Sequence, residues 1–334
     1  MDAHSTTGLE LVALSARGGE LLWRDRCPLK PEPLLAAVGR APRPCVIVFE
    51  QGELATWLHQ TLEGSAERLL VANPTHNRAI ANSPHKGDTF DATTLARLAQ
   101  GGYIQEVYQP PAVFCQLRLL VRHQRRLGVH MVRLKNQIKS LYRQHGLVPR
   151  GAEIYVSGRE QWLQQLPDLA RDLVGDHYLQ LDATQQGLKS TKERIEMAAR
   201  RFEPMVWLCS IPQIGPQTAA AFVAYVVTPE RFGSRKKLWT YCGFGLMQRS
   251  SGASLEPKRL RKDRNAHLKC ILKMAVIRIC SSPNHPLYEA YQAKRAQGMA
   301  DHKAKLTIGR RLINTMAAVW NHKQEFDATK VANA

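Results

Sequence analysis

Pro44-Cys-Val-Ile-Val-Phe-Glu50 is the stretch on which the fold turns. A short run of β-branched and aromatic residues after a proline reads as a strand buried on both faces, with Glu50 at its carboxyl end. Upstream, Leu9 to Leu14 and Glu20 to Cys27 are apolar-rich runs on either side of Gly18-Gly19, a hairpin signal. Pro33 to Val38 suggests a short helix between that hairpin and the strand. Downstream, Leu54, Trp57, Leu58 and Leu62 mark a helix, Arg68 to Ala72 a further strand, and Asn77 to Ala81 another helix. A hairpin followed by alternating strands and helices predicts a mixed sheet flanked by helices over residues 1–110.

The last helix of this region lies within His85 to Gly102. From Thr93 on, Leu95, Ala96, Leu98 and Ala99 recur at helical spacing, and Gly101-Gly102 ends the run. Asp88 and Asp91 precede it, and residues at i and i+3 share a face. Two readings fit the pair: acidic residues complementing a helix N-terminus, or hard oxygen ligands for a divalent metal.

The charge is distributed unevenly. The chain of 334 residues carries a net charge of +19, which points to a polyanionic partner, nucleic acid first and anionic membrane second. Residues 1–114 hold ten Lys/Arg against twelve Asp/Glu, leaving 37 against 16 for the remainder. One half is nearly neutral with embedded acids, and the other is the polyanion-binding half. Seven scattered cysteines without a C-x-x-C pair read as reduced, mostly buried thiols rather than a zinc site. No apolar run approaches the length of a membrane span and no signal-peptide pattern opens the chain, so the expectation is a cytoplasmic protein with no membrane partner.

Residues 111–204 read as extended helix. Leu117, Leu120, Gln124, Leu127, Met131, Leu134, Ile138 and Leu141 step by three and four, a heptad seam with one polar member. Arg118, Arg122, Arg125, Arg126, Arg133, Lys135 and Lys139 lie off that seam. After Pro149 and Gly151 a second helical stretch resumes near Trp162, through Leu163, Leu166, Leu169 and Leu173, with weaker periodicity to Leu188, Ile195 and Phe202. An antiparallel coiled-coil arm, a dimerising helix pair or a plain helical bundle all fit.

Residues 205–334 open on Ile211-Pro-Gln-Ile-Gly-Pro-Gln-Thr-Ala219, which leads into an apolar helix from Ala220 to Val227. Pro212 and Gly215 form a tight turn, and N–H groups at Gly215, Gln217 and Thr218 could meet phosphate without reading sequence. The pattern fits a helix-hairpin-helix nucleic-acid clamp or a simple packing corner. From Arg231 to Arg278 there are thirteen Lys/Arg against two acids, densest at Lys258, Arg259, Arg261, Lys262 and Arg264. The run interleaves with Trp239, Tyr241 and Phe244, which suits a nucleic-acid surface. Within it, Gln248-Arg-Ser-Ser-Gly-Ala253 reads as a flexible loop, or as a loop whose serine approaches a phosphodiester among cations such as Arg249.

Taken together these segments resemble the DEDD transposases of insertion-sequence family 110, a group that includes pilin-gene-inverting and bridge-RNA-guided recombinases. In the N-terminal part the resemblance rests on Met1-Asp-Ala-His4, Val46-Ile-Val-Phe-Glu50, Val71-Ala-Asn-Pro74 and Lys86-Gly-Asp-Thr-Phe-Asp-Ala92. In the C-terminal part it rests on Ile211-Pro-Gln-Ile-Gly-Pro216, Arg231-Phe-Gly-Ser234, Leu238-Trp-Thr-Tyr-Cys-Gly243, Ser250-Ser-Gly252 and Arg264-Asn-Ala-His-Leu268. The resemblance implies an RNase H-like (RuvC-like) first domain, a helical coiled-coil linker and a mainly helical C-terminal transposase domain. It implies an acidic quartet of Asp2, Glu50, Asp88 and Asp91 holding Mg²⁺ or Mn²⁺, and a nucleophilic serine, with Ser251 a better match than Ser250 because it directly precedes the glycine. It also implies DNA and a structured guide RNA as partners, and a homo-dimer or tetramer in which the quartet and serine of one site come from different subunits. Glu53, close after Glu50, is a competing metal ligand, and the position of Asp2 implies a late start or a truncated first strand. Two other functions fit the same residues: a catalytically inactive DNA- or RNA-binding protein derived from a mobile element, and a plain metal-dependent junction nuclease.

Overall fold

The computed structural model describes residues 1–4, 8–74, 88–247, 250–251, 254–255 and 259–330, and the chain divides into two compact units, 1–112 and 113–334. The first is a mixed α/β unit with small sheets; the second is mainly helical.

In the first unit, β1 (Asp2–His4), β2 (Gly8–Leu14) and β3 (Leu21–Cys27) form an antiparallel sheet in the order β1-β2-β3. This is the expected hairpin with one short strand added to its edge. Two strands, β4 (Val46–Glu50) and β5 (Arg68–Ala72), pair in parallel, as connection through a helix requires. The Met1 nitrogen donates to Val48 O at 2.8 Å, so the start of β1 lies against the middle of β4. The strands therefore follow one another as β3-β2-β1 and then β4-β5.

Burial alternates along these strands as the pleat demands. Leu9, Leu11, Ile47, Phe49 and Val71 join one core with α1 (Pro31–Gly39) and α2 (Ala55–Leu62). Val48, Leu70 and Ala72 face the other way and pack with Leu95 and Ala99 of α3 (Asp88–Gln100). The sheet is thus covered on both faces, which explains why Val46 to Phe49 reads as a near-continuous apolar run. α3 is described from Asp88, five residues ahead of the apolar periodicity. The helix expected over 77–81 lies outside the described residues.

In the second unit, α4 (Ala112–Gln144) and α6 (Asp168–Ala199) form an antiparallel hairpin joined through a 3₁₀ turn at Glu153–Tyr155 and the short α5 (Arg159–Leu163). Its outer half is closed by Leu134, Ile138 and Tyr142 against Ala170, Val174, Tyr178 and Leu181. Its root, Leu117, Val121 and Ile195, enters the main core of the unit. The seam departs from the heptad expectation: Val121 and Tyr142 are buried while Leu120, Gln124 and Leu141 are only half-buried. On α6 the phase moves by one residue, with Ala170 and Val174 inside and Leu169 74% exposed. Tyr142 stacks edge-on against Trp162 and its hydroxyl meets that of Tyr178 at 3.3 Å.

The core helix is α8 (Pro216–Val226), buried at every residue from Thr218 to Val226. Around it stand α7 (Glu203–Cys209), α9 (Arg235–Tyr241), α10 (Ala266–Cys280), α11 (Tyr288–Ala296) and α12 (Asp301–His322). The seven cysteines are unpaired, but only Cys27, Cys242 and Cys280 are fully buried and Cys270 is exposed, fewer buried thiols than expected. No helix among the described residues is long and apolar enough to cross a membrane.

Candidate functional site

Asp2 and Glu50 fall on the same side of the α/β unit. Met1 and Ala3 belong with the α1/α2 core, so Asp2, between them on β1, faces the α3 side. Along β4, Ile47 and Phe49 belong to the α1/α2 core and Val48 to the α3 core, so Glu50 shares the α3 side. Met1 lies beside Val48, and Asp2 and Glu50 follow these by one and two residues.

Helix α3 is anchored at its far end. Gln100 Nε2 donates to Ala16 O at 2.9 Å and Ser15 O at 3.4 Å, in the turn between β2 and β3. From there the helix runs back over β2, β1 and β4. Its length from Gln100 to Asp88 is about 18 Å at 1.5 Å per residue, and β2 from Ser15 back to Glu10 covers about 17 Å at 3.4 Å per residue. Glu10, on the part of β2 remote from that anchor, has Asp2 as its register partner on β1. Positions 88 and 91 continue, at helical spacing, the stripe that buries Ala92, Leu95 and Leu98 against the sheet. Asp91 is exposed at this end; the Asp88 side chain lies outside the described residues.

Glu10 adds a carboxylate that sequence reasoning passed over. It stands directly across from Asp2, and like charges so placed repel. Arg26, its partner on the other side, binds it at 3.1 Å and relieves that repulsion. The signal was available in the hairpin, where Glu10 and Arg26 occupy the outward phase of β2 and β3. Glu53 is exposed in the turn before α2, while Gln51 is held by Gln109 Nε2 at 2.7 Å.

Among the described residues no group of three His, Cys, Asp or Glu side chains forms a metal cluster. The donor chemistry suits a hard divalent cation: Asp2, Glu50 and Asp91 are all carboxylates, with no thiol among them.

Ser250 and Ser251 form a two-residue strand, β7, paired antiparallel with β8 (Ser254–Leu255), so that Ser251 faces Ser254. Outside it, β6 (Leu246–Met247) pairs with β9 (Arg259–Leu260). Of the expected loop, Gln248 to Ala253, only Ser250 and Ser251 are described, and they are strand residues of this small β-ribbon. Arg249, Gly252, Ala253 and Lys258 lie outside the described residues, as do the side chains of Ser250 and Ser251. The ribbon's base is fixed. Arg310 Nε donates to Phe244 O at 2.9 Å, and a Cβ at Gly309 would meet the Phe244 ring at 2.1 Å, so only glycine fits there.

The predicted nucleic-acid residues divide into two groups. Arg259 and Lys262 are exposed. Arg261 is instead paired with Asp263, with Nε at 2.9 Å from Oδ1, and Arg264 donates to Arg261 O. At the Pro212–Gly215 turn, Thr218 is buried and the amides of Thr218 and Ala219 both bond to Gly215 O. Pro216 has no N–H, so Gly215 and Gln217 are the donors that this turn can offer. The turn is braced from α10 and the segment after it: Arg278 donates to Gln213 O, and the His285 ring contacts Pro212 O at 3.2 Å. At the other end of α8, Arg118 Nε reaches Ala224 O at 2.7 Å and Arg231 Nε reaches Val226 O at 2.8 Å. These guanidiniums satisfy orphan C-terminal carbonyls and complement the helix dipole.

A model of the DEDD transposases of IS110 elements, described as "Transposase", matches residues 8–146. The model described as "Transposase IS116/IS110/IS902 family" matches residues 206–292. The transposase for insertion sequence element IS1111A of Coxiella burnetii is 23% identical over 239 residues, covering 68% of this chain and 64% of that relative. The match thus spans less than two thirds of the relative's own length. With the acidic first unit matched ahead of the helical second one, this protein belongs to the IS110 family of transposases, with a DEDD N-terminal domain followed by the family's C-terminal transposase domain.

Proposed function

We propose that this protein is a DNA transposase that cuts and rejoins strands through a serine–phosphodiester intermediate. The observation that carries this reading is the single face shared by Asp2 on β1, Glu50 on β4 and the start of α3. The strand succession β3-β2-β1, β4-β5, with helices on both faces, supports an RNase H-like arrangement for that unit. Carboxylates crowded without a cation repel one another, so their shared face supports a Mg²⁺ or Mn²⁺ site held by Asp2, Glu50, Asp88 and Asp91. When bound there, the metal supplies positive charge that offsets the charge building on a scissile phosphate.

The chain's own residues do the rest. Ser251 Oγ attacks phosphorus and loses its proton; one P–O bond of the DNA breaks, and the departing DNA hydroxyl takes up a proton. Serine is a weak nucleophile at neutral pH and depends on such help. The new phosphoserine ester keeps the energy of the broken bond, so a hydroxyl from another strand re-forms DNA without ATP. Arg249, Lys258 and Arg259 offset phosphate charge around the ribbon. A structured RNA partner and a homo-dimer or tetramer belong to the same reading. Val129 and Val132 of α4, and Leu169 and Leu173 of α6, support a subunit contact along the hairpin, since all four are exposed apolar residues.

The test is to incubate the protein with its flanking RNA, cognate DNA and Mg²⁺ and to look for a covalent protein–DNA adduct. The adduct is expected in the wild type and lost in Ser251→Ala and in Glu50→Gln. Cleavage that survives Ser251→Ala would favour a plain nuclease, and binding without cleavage a DNA- or RNA-binding derivative.

A further inference from the structure

A basic concavity of the helical unit is lined by none of the ribbon residues. Arg122, Arg125, Arg126 and Arg133 of α4 line one wall of an open cleft of about 440 Å³, and Tyr225 of α8 and His267 of α10 form its floor. We infer that this cleft is a second nucleic-acid site, which grips a phosphodiester backbone with residues used by neither the carboxylate face nor the serine ribbon.

Three observations carry the inference. First, α4 holds eight Lys/Arg and no Asp or Glu over its 33 residues. A solvated helix face ordinarily intersperses both signs at i,i+4, and like charges at that spacing repel. Here Arg118, Arg122 and Arg126 follow one another at i+4. Second, the four arginines are exposed, and among the described residues no carboxylate forms an ion pair with any of them. The same chain pairs Arg159 with Asp182 and Arg261 with Asp263, so guanidiniums without a carboxylate partner are a local property of this wall.

Third, the floor is built rather than incidental. Tyr225 Oη and His267 Nδ1 share a hydrogen bond of 2.9 Å, with the rings edge-on at 5.6 Å. Both residues are buried, at 5% and 7% exposure. Burial, and then the field of Arg125 and Arg122, lowers the His267 pKa to about 4, so the imidazole is neutral when the wall is fully charged. Arg118, one turn before Arg122 on α4, ties that helix to α8 by donating to Ala224 O at 2.7 Å. The arginines from Arg122 to Arg133 span about 16 Å of helix, or roughly five base-pair steps at 3.4 Å along one strand. Arginine forks grip phosphate oxygens bidentately without reading bases, as a positioning contact does.

The inference rests on the strand-transfer reading only for the identity of the polyanion, and its test needs no catalysis. Full-length protein is titrated against a labelled DNA duplex and a labelled single-stranded RNA at several salt concentrations. Three variants are compared with the wild type: Arg125→Gln/Arg126→Gln/Arg133→Gln, the same positions changed to lysine, and Arg133→Gln alone.

The triple glutamine variant is expected to lose about 0.9 in the slope of log K against log salt per phosphate contact on duplex DNA, or about 0.7 on a single strand. Near 0.1 M salt that corresponds to binding weaker by roughly tenfold per contact. Lysine at the same positions should keep most of the slope, and Arg133→Gln should lose about one contact. Loss in the duplex arm assigns the cleft to DNA, loss in the RNA arm to RNA, and loss in both to any backbone. Unchanged slopes in both arms, with thermal unfolding intact, would overturn the inference. A reduced slope in a protein that never forms the Ser251 adduct would leave the cleft standing and sink the strand-transfer reading instead.

Discussion

Two basic regions of the helical unit differ in what their charges do. The stretch from Arg231 to Arg278 has the denser charge in sequence, yet much of it is committed inside the fold. Arg231 caps α8, Arg261 is tied to Asp263, Arg264 donates to Arg261 O, and Arg278 braces the turn at Gln213. Along α4 the charges look like the flank of a coiled coil, yet Arg122, Arg125, Arg126 and Arg133 meet no carboxylate among the described residues. Charge density along a chain measures supply. Only tertiary partners decide how much of it remains for a ligand.

That contrast can be broken or sharpened by substitution. The largest effect is expected at Arg231, whose guanidinium serves Val226 O at 2.8 Å and Tyr225 O at 3.1 Å and lies 4.2 Å from the Phe232 ring centre. Hydrogen bonds from a charged donor contribute about 1.5–3 kcal/mol each. Arg231→Met should therefore destabilise the unit by about 3 kcal/mol, read from denaturant midpoints, with little change in the salt slope of nucleic-acid binding. If the slope fell and stability held, Arg231 would belong to the binding surface.

A smaller effect concerns the cleft floor. His267 has its folded pKa lowered to about 4 from the ordinary 6.5, chiefly by burial. Between those values the unfolded chain binds the proton and the folded one does not. Stability is then fully present above about pH 6.5 and falls as pH drops toward 4, by on the order of 1–2 kcal/mol. His267→Gln should flatten that part of the unfolding-versus-pH curve; an unchanged curve would place the titration elsewhere, with His285 the next candidate.

The smallest effect is expected at Asp263. The pair with Arg261 is solvent-exposed, so Asp263→Ala should change stability by less than about 1 kcal/mol. Releasing Arg261 should steepen the salt dependence of binding by up to about one phosphate contact. No change would mean that Arg261 stays committed without its carboxylate.

Much of the α/β unit was legible because alternation on a covered sheet is a strong signal. The hairpin, the strand ending at Glu50 and the helix after the aspartates all follow from it. The one-sided placement of Asp2 and Glu50 was not legible, since it depends on which neighbours Met1 and Val48 meet. In the hairpin of α4 and α6, regular leucines suggested a strict heptad, whereas Leu134, Ile138 and Tyr142 are buried at steps of four. A straight helix drifts by about 20° per heptad, and the α6 side of the seam is built on Ala170, Val174 and Tyr178 rather than on Leu169 and Leu173. The same limit hid the capping role of Arg118 and Arg231, because their acceptors are backbone carbonyls more than a hundred residues and a few residues away, respectively.

The central claim is that carboxylates from β1, β4 and α3 serve one hard cation. Electron paramagnetic resonance of Mn²⁺ titrated into the full-length protein tests it directly. Bound Mn²⁺ is expected in the wild type, with Glu50→Gln and Asp91→Asn each lowering its affinity by at least tenfold, and Mg²⁺ competing for the same site. Equal Mn²⁺ binding by the wild type and both variants would contradict the claim.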